Sequence, residues 1–296
     1  MELLKLIDEF IDYLMSERGY SYHTLDGYKR DVYRFVVFIE SNNYDIQNLD
    51  IDEVQKFVNY LSKLGFSASS IERCIAAVRT FLKFLYVHHN INTSFIQLIE
   101  VPKKEQYIPD VMTIEEIQLL LEQPDISKPR GLRDRAIMEL LYATGLRISE
   151  ALSLKIYDIN FDENIIRVSG KGSKERFVPF GEIPKEFLYN YLTSARSYFA
   201  KNKDNGYVFL NSKGGRLSRI GFWKILKEYA MKIGLEHKVH PHVFRHSFAT
   251  HMLLNGCDLR VLQEILGHAS ISTTQRYTYI SIAHIKEVYK KYHPRA

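Results

Sequence analysis

Apolar positions in the first hundred residues recur at helical spacing in four blocks. Leu3, Leu6, Phe10 and Leu14 mark a first helix, ended by Gly19. Leu25, Tyr28, Val32, Phe35 and Phe38 mark a second. Asp50 is placed to cap a third, carrying Val54, Phe57, Val58 and Leu61 and closed by Gly65. Ser69 with Glu72 reads as a capping box for a fourth, with Ile71, Ile75, Val78, Leu82 and Leu85 on its apolar face. Four helices on short connections predict a small bundle over residues 1–99. Residues 100–112, EVPKKEQYIPDVM, break the rhythm with two prolines and several charges and are expected to be a linker.

Beyond the linker, residues 113–296 predict a mainly α domain with a small β element, an α+β arrangement. Thr113 with Glu116 restarts a helix by capping-box logic. Ile165, Ile166 and Val168 predict one strand, and Phe177 and Val178 a second, with the turn GKGSK between them. Tyr207 to Leu210 is the expected third strand. Helices follow at about 218–232, 241–254 and 258–266, and a last one near 282–292 carries Ile285, Val288, Tyr289 and Tyr292 on one stripe.

Composition narrows the class. At 296 residues the chain has room for two domains, and no apolar run approaches the length needed to cross a bilayer. The N-terminal stretch carries acids inside its apolar residues, unlike a signal peptide. Cys74 and Cys257 are the two cysteines, with no CxxC partner, which fits a reducing cytoplasm. Charge is uneven: residues 1–100 carry 10 basic and 14 acidic side chains, and residues 101–296 carry 30 and 21. A basic second part suggests a polyanion partner, or a basic but inert surface.

Four segments hold groups that could carry chemistry. In HPHVFRHSFATHML, His242, Arg245 and His246 are spaced to share one helix face, with Phe244 and Phe248 opposite. Such a face is a solvated surface, an anion site, or a metal site; Val243 stands where a zincin needs Glu, and Arg245 would repel a cation. In TGLRISE, Arg147 opens a helix whose free N–H groups also favour an anion, and Glu150 is positioned to orient it or to be an ordinary surface acid. In GKGSKERFVPF, Lys171 sits in a Gly-flanked turn, with Lys174 and Arg176 as weaker additions. In LGHASISTTQRYTYI, Gly267 ends a helix, His268 follows, and Tyr277 comes nine residues later. Each segment alone has an ordinary structural reading. Together they supply what phosphodiester transesterification needs: cations for the non-bridging oxygens, a nucleophile, and a proton for the leaving oxygen.

In this order, TGLRISE, GKG, HxxRH, LGH and a downstream Tyr resemble the tyrosine recombinase (lambda integrase-like) family, and more narrowly the Xer recombinases, over essentially the whole length. The resemblance implies a SAM-like N-terminal four-helix DNA-clamping domain, a linker, and a catalytic domain. Arg147, Arg245 and His268 would hold the non-bridging oxygens. Lys171 would protonate the departing 5′ oxygen, and His242 would manage the tyrosine proton. Tyr277 would form a 3′-phosphotyrosyl link, with Glu150 as accessory acid; His246 matches a structural position. Tyr279 stands where many Xer relatives have histidine. No cofactor and no metal are implied. The implied partners are double-stranded recombination sites, a homotetramer or a heterotetramer with a paralogous recombinase, and a septal DNA translocase, with no membrane. The last helix would dock into a neighbouring subunit. The implied role is resolving chromosome or plasmid dimers; mobile-element integration and type IB topoisomerase-like relaxation are the alternatives.

Overall fold

The computed structural model describes residues 3–18, 20, 22–102, 111–169, 175–201, 204–267 and 282–295. The expectations placed on Gly19, on the GKGSK turn with Lys171, on most of the linker, and on His268, Tyr277 and Tyr279 lie outside the described residues. The chain forms two compact units, Met1–Ile108 and Pro109–Ala296.

The first unit holds helices α1 (Leu3–Ser16), α2 (Tyr22–Ser41), α3 (Ile51–Lys63) and α4 (Ala68–His89). The apolar stripes read from the sequence are its core. Phe10 meets Phe81 edge-on at 5.3 Å between ring centroids, and Phe35 meets Phe57 at 5.1 Å. Asp50 caps α3 as expected: its Oδ1 accepts the Glu53 N–H at 2.9 Å, and Glu53 Oε2 accepts the Asp50 N–H at 3.1 Å. The α4 start differs from expectation. Ser67, not Ser69, is the cap, and its hydroxyl accepts the Ser70 N–H at 3.3 Å. Ser67 is the last extended residue after the Gly65 turn, so Ser69 already lies inside the helix. Although the unit is acidic overall, Lys29, Arg30, Tyr33 and Arg34 line a shallow groove on α2. On the same helix the buried Asp31 carboxylate pairs with Arg34 and Arg73.

The second unit is mainly helical with one small antiparallel sheet. It comprises α5 (Ile114–Leu121), α6 (Pro129–Thr144), α7 (Ile148–Ser153), strands β1 (Ile159–Asn160), β2 (Ile165–Ser169) and β3 (Glu175–Pro179), then α8 (Glu182–Asn190) and α9 (Arg196–Ala200). Helices α10 (Arg219–Lys232), α11 (Val243–Leu254), α12 (Leu259–Leu266) and α13 (Ile282–Tyr292) complete it. The Thr113–Glu116 capping box opens α5.

The sheet order is β1-β2-β3, with Ile166 opposite Ile159 and Val178. The third strand is therefore Ile159–Asn160, not Tyr207–Leu210. Val208, Phe209 and Leu210 are consecutively buried, and their backbone pairs outward on two sides, Val208 N–H to Leu154 O at 2.9 Å and Leu217 N–H to Phe209 O at 3.0 Å. That segment is strand-like in composition but plugs the core instead of joining the sheet.

Helix α6 is the hub. From Arg133 to Thr144 every residue is buried, so its sequence lacks a polar face and carries its charges inward. Arg133 donates to Asp134 at 2.7 and 2.9 Å and to Leu210 O at 2.9 Å. Glu139, fully buried, accepts from Arg135 at 2.9 Å and from Arg295 at 2.5 and 2.8 Å. The last pair fastens the C-terminal segment, because α13 lays Ile285, Val288 and Tyr289 into the core of its own unit.

Candidate active site

The site begins where α6 stops. Gly145 takes a left-handed conformation (φ +60°), and a Cβ there would meet Phe248 at 2.5 Å and Leu266 at 2.8 Å, so glycine is required on both counts. The chain then turns through buried Leu146 and delivers Arg147 to the N-cap of α7. Glu150 answers twice: Oε2 accepts the Arg147 backbone N–H at 2.9 Å, and Oε1 accepts its Nη1 at 2.8 Å. One carboxylate thus caps the helix and aims the guanidinium, whose side chain keeps 39% exposure.

Arg245 comes from α11 and is 9% exposed. It donates Nη1 to Gly145 O at 2.8 Å and Nη2 to Leu266 O at 2.9 Å. Both acceptors lie at helix C-termini, where carbonyls lack partners and the dipole favours a cation. Burial, followed by the Arg147 charge, pulls its pKa down to about 10. A guanidinium pressed this way by burial and by another arginine is stabilised by an anion.

Sequence reasoning gave Arg176 too little weight. It lies on β3, donates Nη1 and Nη2 to the two Glu150 oxygens at 3.2 and 2.9 Å, and donates Nε to Ile265 O at 3.1 Å. The signal was present: strand alternation puts Arg176 on the same face as buried Val178, with Phe177 outward. Burial alone would raise the Glu150 carboxyl, but Arg176 and Arg147 outweigh it and hold it below the usual range.

His242 is corrected in place. It is the N-cap residue of α11, not a member of its face, and Pro241 precedes the helix. The cause is a turn: Val243 N–H bonds His240 O at 3.0 Å, and His242 N–H bonds His240 Nδ1 at 3.2 Å. The His242 and His246 rings sit 6.4 Å apart. Burial, then the charges of His246, Arg245 and Arg147, lower the His242 pKa, which favours its neutral form. Arg147, Arg245, His242 and Glu150 are thus brought together, joined by Arg176.

A second polar cluster went unread in the sequence. His293 Nδ1 accepts the Arg295 N–H at 3.0 Å and its Nε2 faces Tyr142 O at 3.3 Å, bonds that assign the neutral Nε2–H tautomer. Burial pushes His293 down to about 3 and lowers His251, whose Nδ1 bonds the Tyr142 hydroxyl at 2.8 Å. A lowered folded-state pKa means the unfolded chain binds more protons below about pH 6.5, so stability present above that pH is lost as pH falls. Urea midpoints for the second unit are expected to drop steadily between pH 7 and pH 5, above the carboxylate range. His293→Phe keeps the stack on Tyr289 and should flatten the slope; an unchanged slope would show that His293 does not carry it.

Residues 110–284 match the phage integrase family model, and residues 7–89 match the phage integrase N-terminal SAM-like domain. The chain is 41% identical over 292 residues to the tyrosine recombinase XerD of Staphylococcus epidermidis, covering 98% of this chain and 99% of that protein. It is 43% identical over 294 residues to the XerD of Listeria monocytogenes, with 98% and 99% covered. The chain belongs to the tyrosine recombinase family. It is a site-specific recombinase of Xer type, cleaving and rejoining DNA with a tyrosine nucleophile. The recombinase also shares its fold with XerH bound to a palindromic difH substrate in a post-cleavage complex, at TM-score 0.72 and 23% identity, covering 89% of this chain and 78% of that one. A lambda integrase tetramer bound to a Holliday junction gives TM-score 0.70 and 17% identity, with 95% and 80% covered.

Proposed function

We propose that Tyr277 attacks the scissile phosphate while Arg147, Arg245 and His268 hold its non-bridging oxygens. The P–O bond to the phenol oxygen forms and the P–O5′ bond breaks. Lys171 gives its proton to the 5′ oxygen, and neutral His242 takes the phenol proton. The 3′-phosphotyrosyl link keeps the diester energy, so an incoming 5′ hydroxyl reverses the step without a cofactor or a metal. Glu150 positions Arg147. The observation that carries this reading is the convergence of Arg147 and Arg245 on the ends of α6, α7 and α12, with Glu150 as the carboxylate between Arg147 and Arg176.

The biological role proposed is resolution of chromosome or plasmid dimers in the cytoplasm, supported by near-full-length likeness to XerD proteins. No described helix is long and apolar enough to cross a membrane. The working assembly is a homotetramer, or a heterotetramer with a paralogous recombinase, on two duplex sites, with a septal DNA translocase as a further partner. The test is to select a cognate site from random duplexes and place two copies on one supercoiled plasmid. Two product circles are expected; relaxation without resolution would refute recombination between sites.

Assembly of this kind passes α13 to a neighbour, whereas here its apolar stripe is buried within its own unit. Deleting residues 282–296 is therefore expected to abolish synapsis and also to lower the unfolding midpoint, with single-site DNA binding weakened less. Gel-shift, synapsis and melting assays on one preparation check this; unchanged recombination would refute it.

A further inference from the structure

We propose that Arg176 is a positioning residue for Arg147, acting through Glu150; the inference rests on Arg147 being a phosphate-binding group. Glu150 is about 10% exposed and receives four donors. Its Oε1 takes Arg147 Nη1 at 2.8 Å and Arg176 Nη1 at 3.2 Å, and its Oε2 takes the Arg147 N–H at 2.9 Å and Arg176 Nη2 at 2.9 Å. Arg176 spends its third nitrogen, Nε, on Ile265 O. At 15% exposure, with each guanidinium nitrogen donating to a protein acceptor, Arg176 is held by Glu150 and the end of α12.

The consequence is electrostatic. A lone Glu150 would pair with Arg147 and cancel the charge a phosphate needs. With Arg176 in a two-pronged bond, the carboxylate's charge is already balanced, so Glu150 aims Arg147 without neutralising it. The space is built for this group: at Gly267, itself left-handed at φ +66°, a Cβ would meet Arg176 at 3.0 to 3.1 Å. The same guanidinium ties β3 to the last turn of α12, beside the carbonyl that Arg245 uses. One side chain therefore fixes the relation of both phosphate-binding arginines.

The test is single-turnover strand cleavage on two substrates, one with an ordinary scissile phosphate and one with a methylphosphonate, which lacks the negative charge. On phosphate, Arg147→Ala and Arg176→Gln should each cleave about 100- to 1,000-fold more slowly than wild type. On methylphosphonate both deficits should shrink to about tenfold or less, because less charge builds for the arginine to meet. Arg176→Lys, which keeps charge without the fork, should fold normally and show the same pattern with a smaller loss. Adding Glu150→Gln to Arg176→Gln should cost nothing further. Rescue of Arg147→Ala but not of either Arg176 variant would overturn the proposal. Failure to rescue Arg147→Ala would overturn the underlying reading of Arg147 instead.

Discussion

Tyr277→Phe is expected to bind its site normally yet form no covalent protein–DNA adduct, whereas Tyr279→Phe forms one. A phenol with an ordinary pKa near 10 is almost wholly protonated at neutral pH, so it attacks only where a base takes its proton and cations draw in the phosphate. The chain has 20 tyrosines, and the proposed mechanism assigns that role to Tyr277. Tyr277 follows His268 by nine residues, the interval that the resemblance to the family implies, whereas Tyr279 follows it by eleven. Losing the hydroxyl barely alters side-chain volume, so binding should survive while chemistry falls below detection. A suicide substrate that loses its 5′ fragment after cleavage traps the adduct, and denaturing electrophoresis counts it. An adduct on Tyr277→Phe but not on Tyr279→Phe would move the nucleophile two residues along the chain.

How far the sequence could be read depended on which physical signal was available. Periodicity found the four N-terminal helices because each has one wet and one dry face: Phe10, Phe35, Phe57 and Phe81 all point inward. The same rule says little about α6, which is dry all round and carries Arg133, Asp134, Arg135 and Glu139 into the core against partners far along the chain. Tyr207 to Leu210 misled for a related reason. An apolar run reports burial, and a plug is as buried as a strand. At the site, Arg147 and Arg245 stood out as residue types in motifs, but what holds them did not. The acceptors of Arg245 are backbone carbonyls, and those of Arg176 are Glu150 and another carbonyl, set by where helices end in space. Only strand alternation around Val178 hinted that Arg176 faces inward.

Arg245→Ala and Arg147→Ala should cost comparable amounts of chemistry but very different amounts of stability. Either removes a cation facing the developing charge, an expected loss of about 100- to 1,000-fold in cleavage rate. Arg245 is also structural. Without it, Gly145 O and Leu266 O lose their donors in a buried place, and an unsatisfied buried group costs about 1–3 kcal/mol. Part is returned, because Arg245 no longer has to be desolvated beside Arg147 and Arg176. A net loss of about 2–4 kcal/mol is expected, lowering the midpoint by roughly 5–15 °C for a unit of this size. Arg147 is more exposed, and its departure leaves Glu150 still paired with Arg176, so its stability cost should stay within about 1 kcal/mol. Arg245→Lys restores charge, but one ammonium cannot reach two helix ends and a phosphate together, so it should recover part of the stability and little of the rate. Thermal melts of the three variants, with single-turnover cleavage measured well below each midpoint, separate the two roles. Equal destabilisation by the two alanine variants would mean that Arg245 does not bridge the ends of α6 and α12.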